Sequence, residues 1–463
     1  MNILSGLAAN PALPTSLMLR MLQPTAMADA LPYLAWRSHL PEQVVEAFIG
    51  HRDATVRECF AVNPHVSAET RSKLARDPVL RVRRALAAGP EWRRFQRRTT
   101  PLTDAAYGLL THDPCIEVRC ELARNWQTPA PVLTVLAADP EPEVRRTMCP
   151  GWDRLPEHAK AALLDDVDPS VRRAAWLRAY RERPELLDAI LAGDDAAQIV
   201  GEAPLPRAMA ESYARSDDPG HRHLAAGNPH LDRDLVEELS ADPDPRVRLM
   251  ISLRPELTEA KRSAIAYDPE LYQVHVPLSW IRDRFTDASA MVHYARSAHV
   301  VLRRSVACNP DLGPDLVERL AHDDDPAVRL LLAEHHPDAP AALLLRVVMD
   351  DAGYSEGELT GRPRFPGAGL ARFADSPHSR ERRLVVLDPQ ASADVIERLS
   401  HDEERRVRMA MARDPRLPVP RILALLRDSD DQVAFSAAAN PALPAGAMAQ
   451  LVQTAGETEG RLW

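Results

Sequence analysis

The sequence predicts an all-α protein, an α-solenoid of about 16–17 short two-helix repeats with a period of about 26 residues. Three observations lead there. The segment from His401 to Val452 is one motif written twice: Asp414-Pro415 and Asn440-Pro441 stand 26 residues apart, and the same mark recurs upstream at Asp388 and Arg362. Even spacing at this period is the signature of a repeat array. The 41 prolines of the 463-residue chain are periodic, so they read as helix punctuation and not as disorder. Hydrophobic residues make up 45% and aromatics only 5%, which suits short helices packed through Ala, Leu and Val. Such a core grows along one axis, each repeat touching its neighbours. One continuous array over 1–463 is therefore expected, where a chain of this length would otherwise hold roughly two to four domains.

The marks run Asn10, Arg37, Asn63, Gly89, Asn125, Cys149, Arg178, Ala203, Asn228, Arg254, Val276, Asn309, His336, Arg362, Asp388, Asp414 and Asn440, weakest at Arg178 and Val276. A Val-Arg pair precedes many of them, as Val56-Arg57, Val82-Arg83, Val118-Arg119, Val144-Arg145, Val247-Arg248 and Val407-Arg408. An Asp stands five residues before the Val in several copies (Asp77, Asp113, Asp139, Asp242, Asp402). This Asp is expected to cap the helix N-terminus, with Pro accepted in the first turn, where its missing N–H costs nothing. The Val and the Ala or Leu positions after it make one buried stripe. The mark ends that helix, because the residue before a proline is pushed out of the α region. A second helix follows with a stripe such as Leu235-Val236 and Leu239, or Leu316-Val317 and Leu320. Each helix has about two to three turns and is too short to be stable alone, so stacking must hold it.

The rhythm breaks in three places. Insertions are expected near 90–110 (EWRRFQRRTTPLTDAAYGLL), near 276–300, where the flanking sequence is rich in aromatics (Tyr267, Tyr272, Trp280, Phe285, Tyr294), and at 352–369, which holds five of the 18 glycines. The last reads as a degenerate repeat that carries a loop.

The units SVACNPDLGPDLVERLAHDDDPAVR and MARDPRLPVPRILALLRDSDDQV resemble the bacterial leucine-rich repeat variant family, a HEAT-like α-solenoid repeat. The likeness covers most of the chain. It implies a right-handed superhelix of alternating short helices, some of them 3₁₀. One member of that family carries an iron–sulfur module on clustered cysteines; this chain opens directly on a repeat, and no cofactor is carried over.

The net charge of −10 argues against a general nucleic-acid coat. Lysine is limited to Lys73, Lys160 and Lys261, and the Arg- and Ala-rich composition suggests a bacterial source. Five irregularly spaced cysteines fit free thiols in a reducing cytoplasm. The segment MNILSGLAANPALP lacks the basic start of a signal peptide, and no apolar run approaches membrane-spanning length.

The row Arg57, Arg83, Arg119, Arg145, Arg172, Arg248, Arg329 and Arg408 is either an anion-binding strip or a set of structural pairings with acidic residues and loop carbonyls. Residues that recur in every repeat serve the repeat, which favours the second. Candidate binding residues lie instead in the insertions: Trp92, Arg93, Arg94, Phe95, Arg97 and Arg98, and Tyr354, Arg362, Arg364 and Phe365, since aromatics and arginines anchor interfaces. Cys115, Cys120 and Cys149 lack CxxC-type spacing and read as buried small hydrophobes, so no metal is expected. No nucleophile elbow, P-loop, HExxH motif or dinucleotide fingerprint is present. The expectation is a non-enzymatic, monomeric, cytoplasmic scaffold or adaptor without cofactor. It would bind a protein partner on its curved face or insert loops, with no role at a membrane. A nucleic-acid-binding or repair-type protein is the second reading, and a cofactor-bearing redox protein the third.

Overall fold

A computed structural model describes residues 3–23, 29–90, 101–193, 196–272, 276–350 and 353–459. The fold is all-helical, with no strand among the described residues. The chain forms two compact units, Met1–Leu186 with Ala371–Trp463, and Leu187–Leu370.

In the first unit, helices that follow an acidic cap or a Pro pack side by side in one row. Ser379–Leu384, Arg405–Ala412 and Asp431–Ala438 come first in space, then Ile3–Ala9, Leu31–Ala35, Ala54–Ala61, Leu80–Ala88, Ile116–Arg124, Pro142–Met148 and Pro169–Ala179. The Val of each repeat points into the core: Val56, Val82, Val118, Val144, Val171, Val407 and Val433 are all buried. A second row carries the other helices, as where Thr15–Met21 lies between Ala445–Glu459 and Glu42–Ile49. The second unit repeats the pattern, with Pro219–Gly227 against Pro245–Ser252, and Val300–Ala307 between Ser279–Arg282 and Pro326–His335.

Two features depart from expectation. Asp77, Asp113, Asp139, Asp242 and Asp402 are not the helix caps. Each stands two residues outside and accepts the amide of the capping residue itself (Val79, Cys115, Glu141, Asp244, Glu404; 2.8–2.9 Å). True caps are Asp53, Asp168, Asp218, Asp325 and Asp430, whose carboxylates take first-turn amides. The mark read at Arg178 is no break either, because Pro169–Ala179 runs through it.

The mark residue does more than punctuate. Its side chain reaches back one repeat and donates to carbonyls there, in most copies at the end of the preceding first-row helix. Asn440 Nδ2 donates to Ala412 O and Asp414 O (both 2.8 Å), Asn125 to Ala87 O (2.9 Å), and Asn228 to Val200 O and Ala203 O (2.6 and 2.8 Å). Arg37 Nη1 and Arg254 Nη1 do the same on Ala8 and Asn10, and on Ala226 and Asn228. The asparagine Oδ1 meanwhile accepts the amide two residues on, which shapes the turn (Ala442 N, 2.8 Å). Helix-end carbonyls have no partner within their own helix, and these side chains provide one.

The same bond joins the first repeat to the last. Asn10 Nδ2 donates to Ala438 O (2.8 Å) and Asn440 O (2.7 Å), one repeat back in space and more than 420 residues away in sequence. Ile3–Ala9 lies against Asp431–Ala438 so closely that a Cβ at Gly6 would stand 2.1 Å from the Phe435 carbonyl oxygen. The Phe435 ring meets Tyr33 edge-on at 5.5 Å, and Arg413 lies over it at 5.5 Å. Gly6→Val should therefore force this seam apart. A melting temperature several degrees lower and faster amide exchange in both Ile3–Ala9 and Asp431–Ala438 are expected, since overpacking costs about 1–3 kcal/mol. Gly108→Ala, where a Cβ meets nothing within 4 Å, is the neutral control.

Candidate functional site

The arginine row is a ladder of buried forks. Arg57 Nε and Nη2 donate to the two oxygens of Asp77 (2.6 and 3.0 Å), while Nη1 donates to His51 O (2.5 Å). Arg83 with Asp113, Arg119 with Asp139, Arg145 with Asp166 and Arg408 with Asp428 repeat this geometry. In each case the Nη1 bond goes to a carbonyl six residues earlier. Every such arginine thus ties the loop before its own helix to the Asp of the next repeat. That Asp also holds the next cap, so two repeats share one carboxylate. The fork of Arg145 holds the Asp166 carboxyl below its ordinary range, against the opposing effect of burial.

Sequence reasoning missed Arg222, Arg303 and Arg382, which make the same fork to Asp242, Asp323 and Asp402. Their preceding residues are His221, Leu302 and Glu381. The more general signal was a downstream Asp, 20 or 21 residues on in all these forks but that of Arg83, where the offset is 30, and not the Val. Arg248 has no carboxylate; its Nε donates to Ala266 O (2.7 Å) and Nη1 to Asp242 O and Pro243 O. Arg172 donates to the carbonyls of Asp166 and Val167.

Of the insertion residues, Trp92, Arg93, Arg94, Phe95, Arg97 and Arg98 lie outside the described residues. The residues just before it in sequence are described. Gly89 has a φ of +69°, and a Cβ there would stand 2.9 Å from Asn125 Nδ2. Asn125 lies over it, followed by Trp126, which is 54% exposed at a position where most marks carry Pro.

The glycine-rich segment is ordered into Gly353–Ser355 and Glu356–Thr360, with Leu359 fully buried. Arg362 serves the stack, donating to His336 O (2.9 Å) and Glu334 O as a mark residue. Arg364 pairs with Asp338 at the surface (2.7 Å), Phe365 is half-buried, and Tyr354 lies in the short helix Gly353–Ser355. Replacing 352–368 by a flexible linker, harmless for a bare loop, removes a core leucine and an inter-repeat bond here.

The aromatics near 276–300 also pack inward. Trp280 Nε1 donates to Leu253 O (3.1 Å) and meets Tyr294 edge-on at 5.2 Å. Beside them His299 stacks on Tyr267 at 4.0 Å, with Nε2 2.9 Å from Ser252 Oγ. The pair resembles a nucleophile and its base, but Ser252 is fully buried and its hydroxyl donates to Leu249 O (2.6 Å). His299 Nε2 must then be the donor, which leaves Nδ1 buried without a partner. Burial, with Arg262 and Arg303 nearby, pushes His299 down to about 3.

Cys120, Cys149 and Cys308 are likewise buried, and desolvation pushes Cys149 up to about 11 and Cys308 up to about 12, far from the reactive thiolate range. Among the described residues no three His, Cys, Asp or Glu side chains converge to hold a metal ion. None of the described helices is long and apolar enough to cross a membrane. No family model matches the chain, and no curated protein matches it.

Arg119→Ala leaves the Asp139 carboxylate, with a side chain only 4% exposed, buried without its fork. It should lower stability by roughly 3–5 kcal/mol in denaturant unfolding. Arg248→Ala, which loses only carbonyl bonds, should cost about 1–2 kcal/mol. A second expectation concerns pH. The native state cannot protonate His299 until about pH 3. The unfolded chain takes that proton near 6.5, so stability falls as pH drops below 6.5, by up to about 1.4 kcal/mol per pH unit from this residue. His299→Gln should flatten the dependence between pH 6 and 4 in urea titrations; an unchanged slope would place it elsewhere.

Proposed function

We propose that the chain is a right-handed α-solenoid of the leucine-rich repeat variant type that acts as a non-enzymatic scaffold, binding a protein partner through one inserted segment. One observation carries this reading. The polar side chains that recur in the repeats are engaged in joining one repeat to the next, whereas Trp126 stands exposed next to Asn125, whose side chain lies over Gly89, three residues ahead of the arginine-rich run Trp92–Arg98 in sequence. An exposed tryptophan and a sequence run of arginines with aromatics are the composition of an interface anchor.

The nucleic-acid reading has less support. Charges on the first-row helices alternate in sign: Arg81 stands 3.6 Å from both Asp53 and Glu58, and Arg124 stands 3.5 Å from Glu121. A phosphate track needs one sign. The redox reading is weakened by thiols held protonated by burial.

The test is photo-crosslinking from a probe at Trp126, with the source organism's proteins present, comparing the parent with a variant in which Arg93, Arg94, Arg97 and Arg98 are Ser. A discrete protein adduct that the four-fold variant loses, at unchanged melting temperature, is the expected result. Saturable binding of single-stranded or duplex oligonucleotides whose affinity falls steeply with salt would replace the protein reading by the nucleic-acid one.

A further inference from the structure

One rung of the arginine ladder is incomplete. Arg329 donates through Nη1 to Asp323 O (2.7 Å) and Asp324 O (3.0 Å), as its counterparts do to their own loops. Its other edge differs. Nη2 meets a single oxygen of Asp350 at 3.1 Å, and Nε is buried with no acceptor. Asp350 does not occupy the loop position held by the other partner aspartates. It is the last residue of Ala341–Asp350, its side chain is 49% exposed, and Arg346 also approaches it at 3.7 Å. The Arg329 side chain is only 8% exposed. Beside this half-filled fork is a cavity of about 170 Å³, bounded by Pro326, Ala327, Arg329, Leu330, Val347 and Asp350.

We propose that this cavity binds a carboxylate on a short apolar stem. Its two oxygens take Nε and Nη2 of Arg329, as the aspartate of the next repeat does elsewhere, while Asp350 turns to solvent. A guanidinium fork selects a planar pair of acceptor oxygens, and a buried charged donor without an acceptor favours any group that supplies one. Pro326, Ala327, Leu330 and Val347 form an apolar wall of the size of a few methylenes. The carboxylate comes either from a free short-chain acid or from an acidic residue of a peptide. The site stands independently of the protein-partner reading, which concerns Trp126 and the Trp92–Arg98 segment.

The test follows the Arg329 Nε–H resonance in the full-length protein during titration with butyrate, butyramide and a short neutral-ended peptide carrying one Glu. A saturable shift with butyrate or the peptide, and none with butyramide, is expected. Affinity should fall by at least about tenfold in Arg329→Gln and rise severalfold in Asp350→Asn, which removes the competing negative charge. Tighter binding of the peptide assigns the site to a protein's acidic side chain; tighter binding of butyrate assigns it to a free acid. Absence of any saturable shift, equal binding of butyramide, or unchanged affinity in Asp350→Asn would overturn the proposal. The Asp350 variant alters a half-exposed side chain, so its result stands even where Arg329→Gln fails to fold.

Discussion

A helix of seven or eight residues leaves about half of its backbone polar groups without an intrahelical partner. Most of the described helices are of that length or shorter. Stacking buries those ends, so each needs a partner from outside the helix, and the two inter-repeat ladders provide it. At the C-terminal end the mark side chain enters from the next repeat and takes the loose carbonyls, as Asn440 does on Ala412 and Asp414. Ahead of the N-terminal end one Asp holds the cap amide and is itself held by an arginine of the previous repeat, as Asp139 is by Arg119. Both ladders cross the boundary between repeats, so a repeat cannot satisfy its own backbone alone. Cooperativity between neighbours follows from hydrogen bonding as much as from the apolar stripe.

The price of this arrangement is a largely buried carboxylate and guanidinium at eight of the boundaries between described repeats. A buried pair gives little net stability over an apolar one, but breaking it is costly. That asymmetry favours register. A slip of one residue would leave Asp77 and Arg57 facing no partner, whereas Leu and Ala stripes tolerate small shifts. The forks discriminate between stacking registers that the hydrophobic core would barely distinguish.

How much of this was legible in the sequence depends on the kind of signal. Val82, Val118 and Val407 announce a buried stripe by spacing alone, and all three are in the core. The structural role of the arginines could be inferred from their recurrence, but the partner could not, because the pairing spans two repeats and its offset varies from 20 to 30 residues. Arg222, Arg303 and Arg382 follow His, Leu and Glu, so a Val-Arg pair does not mark them. Arg362 stands among glycines that suggest a loop, yet its place before Pro363 also marks it as a residue of the inter-repeat bond, which it makes. Low apolar content hid Glu356–Thr360 in the same way: one buried leucine, Leu359, holds that helix. The incomplete fork at Arg329 was invisible, since Asp350 stands at nearly the usual offset and only its position on a helix end separates it from Asp166.

The seam between the first and last repeats follows from the same physics. An open stack ends in a repeat whose outer face must be polar, because no neighbour covers it. Neither terminal repeat here has such a face. Leu4, Leu7 and Ala8 at one end and Val433, Ala437 and Ala438 at the other are ordinary core residues, and they are buried against each other's repeats. Asn10 provides to Ala438 and Asn440 the bonds that Asn440 provides to Ala412 and Asp414, so the register of the ladder continues across a break in the covalent chain. The close approach at Gly6 shows that this junction is fitted as closely as helices can pack: a position that any small residue could fill in an exposed terminal helix here admits only hydrogen. At this junction the helices Ile3–Ala9 and Asp431–Ala438 cover each other's apolar faces and end groups as sequence neighbours do elsewhere in the same unit.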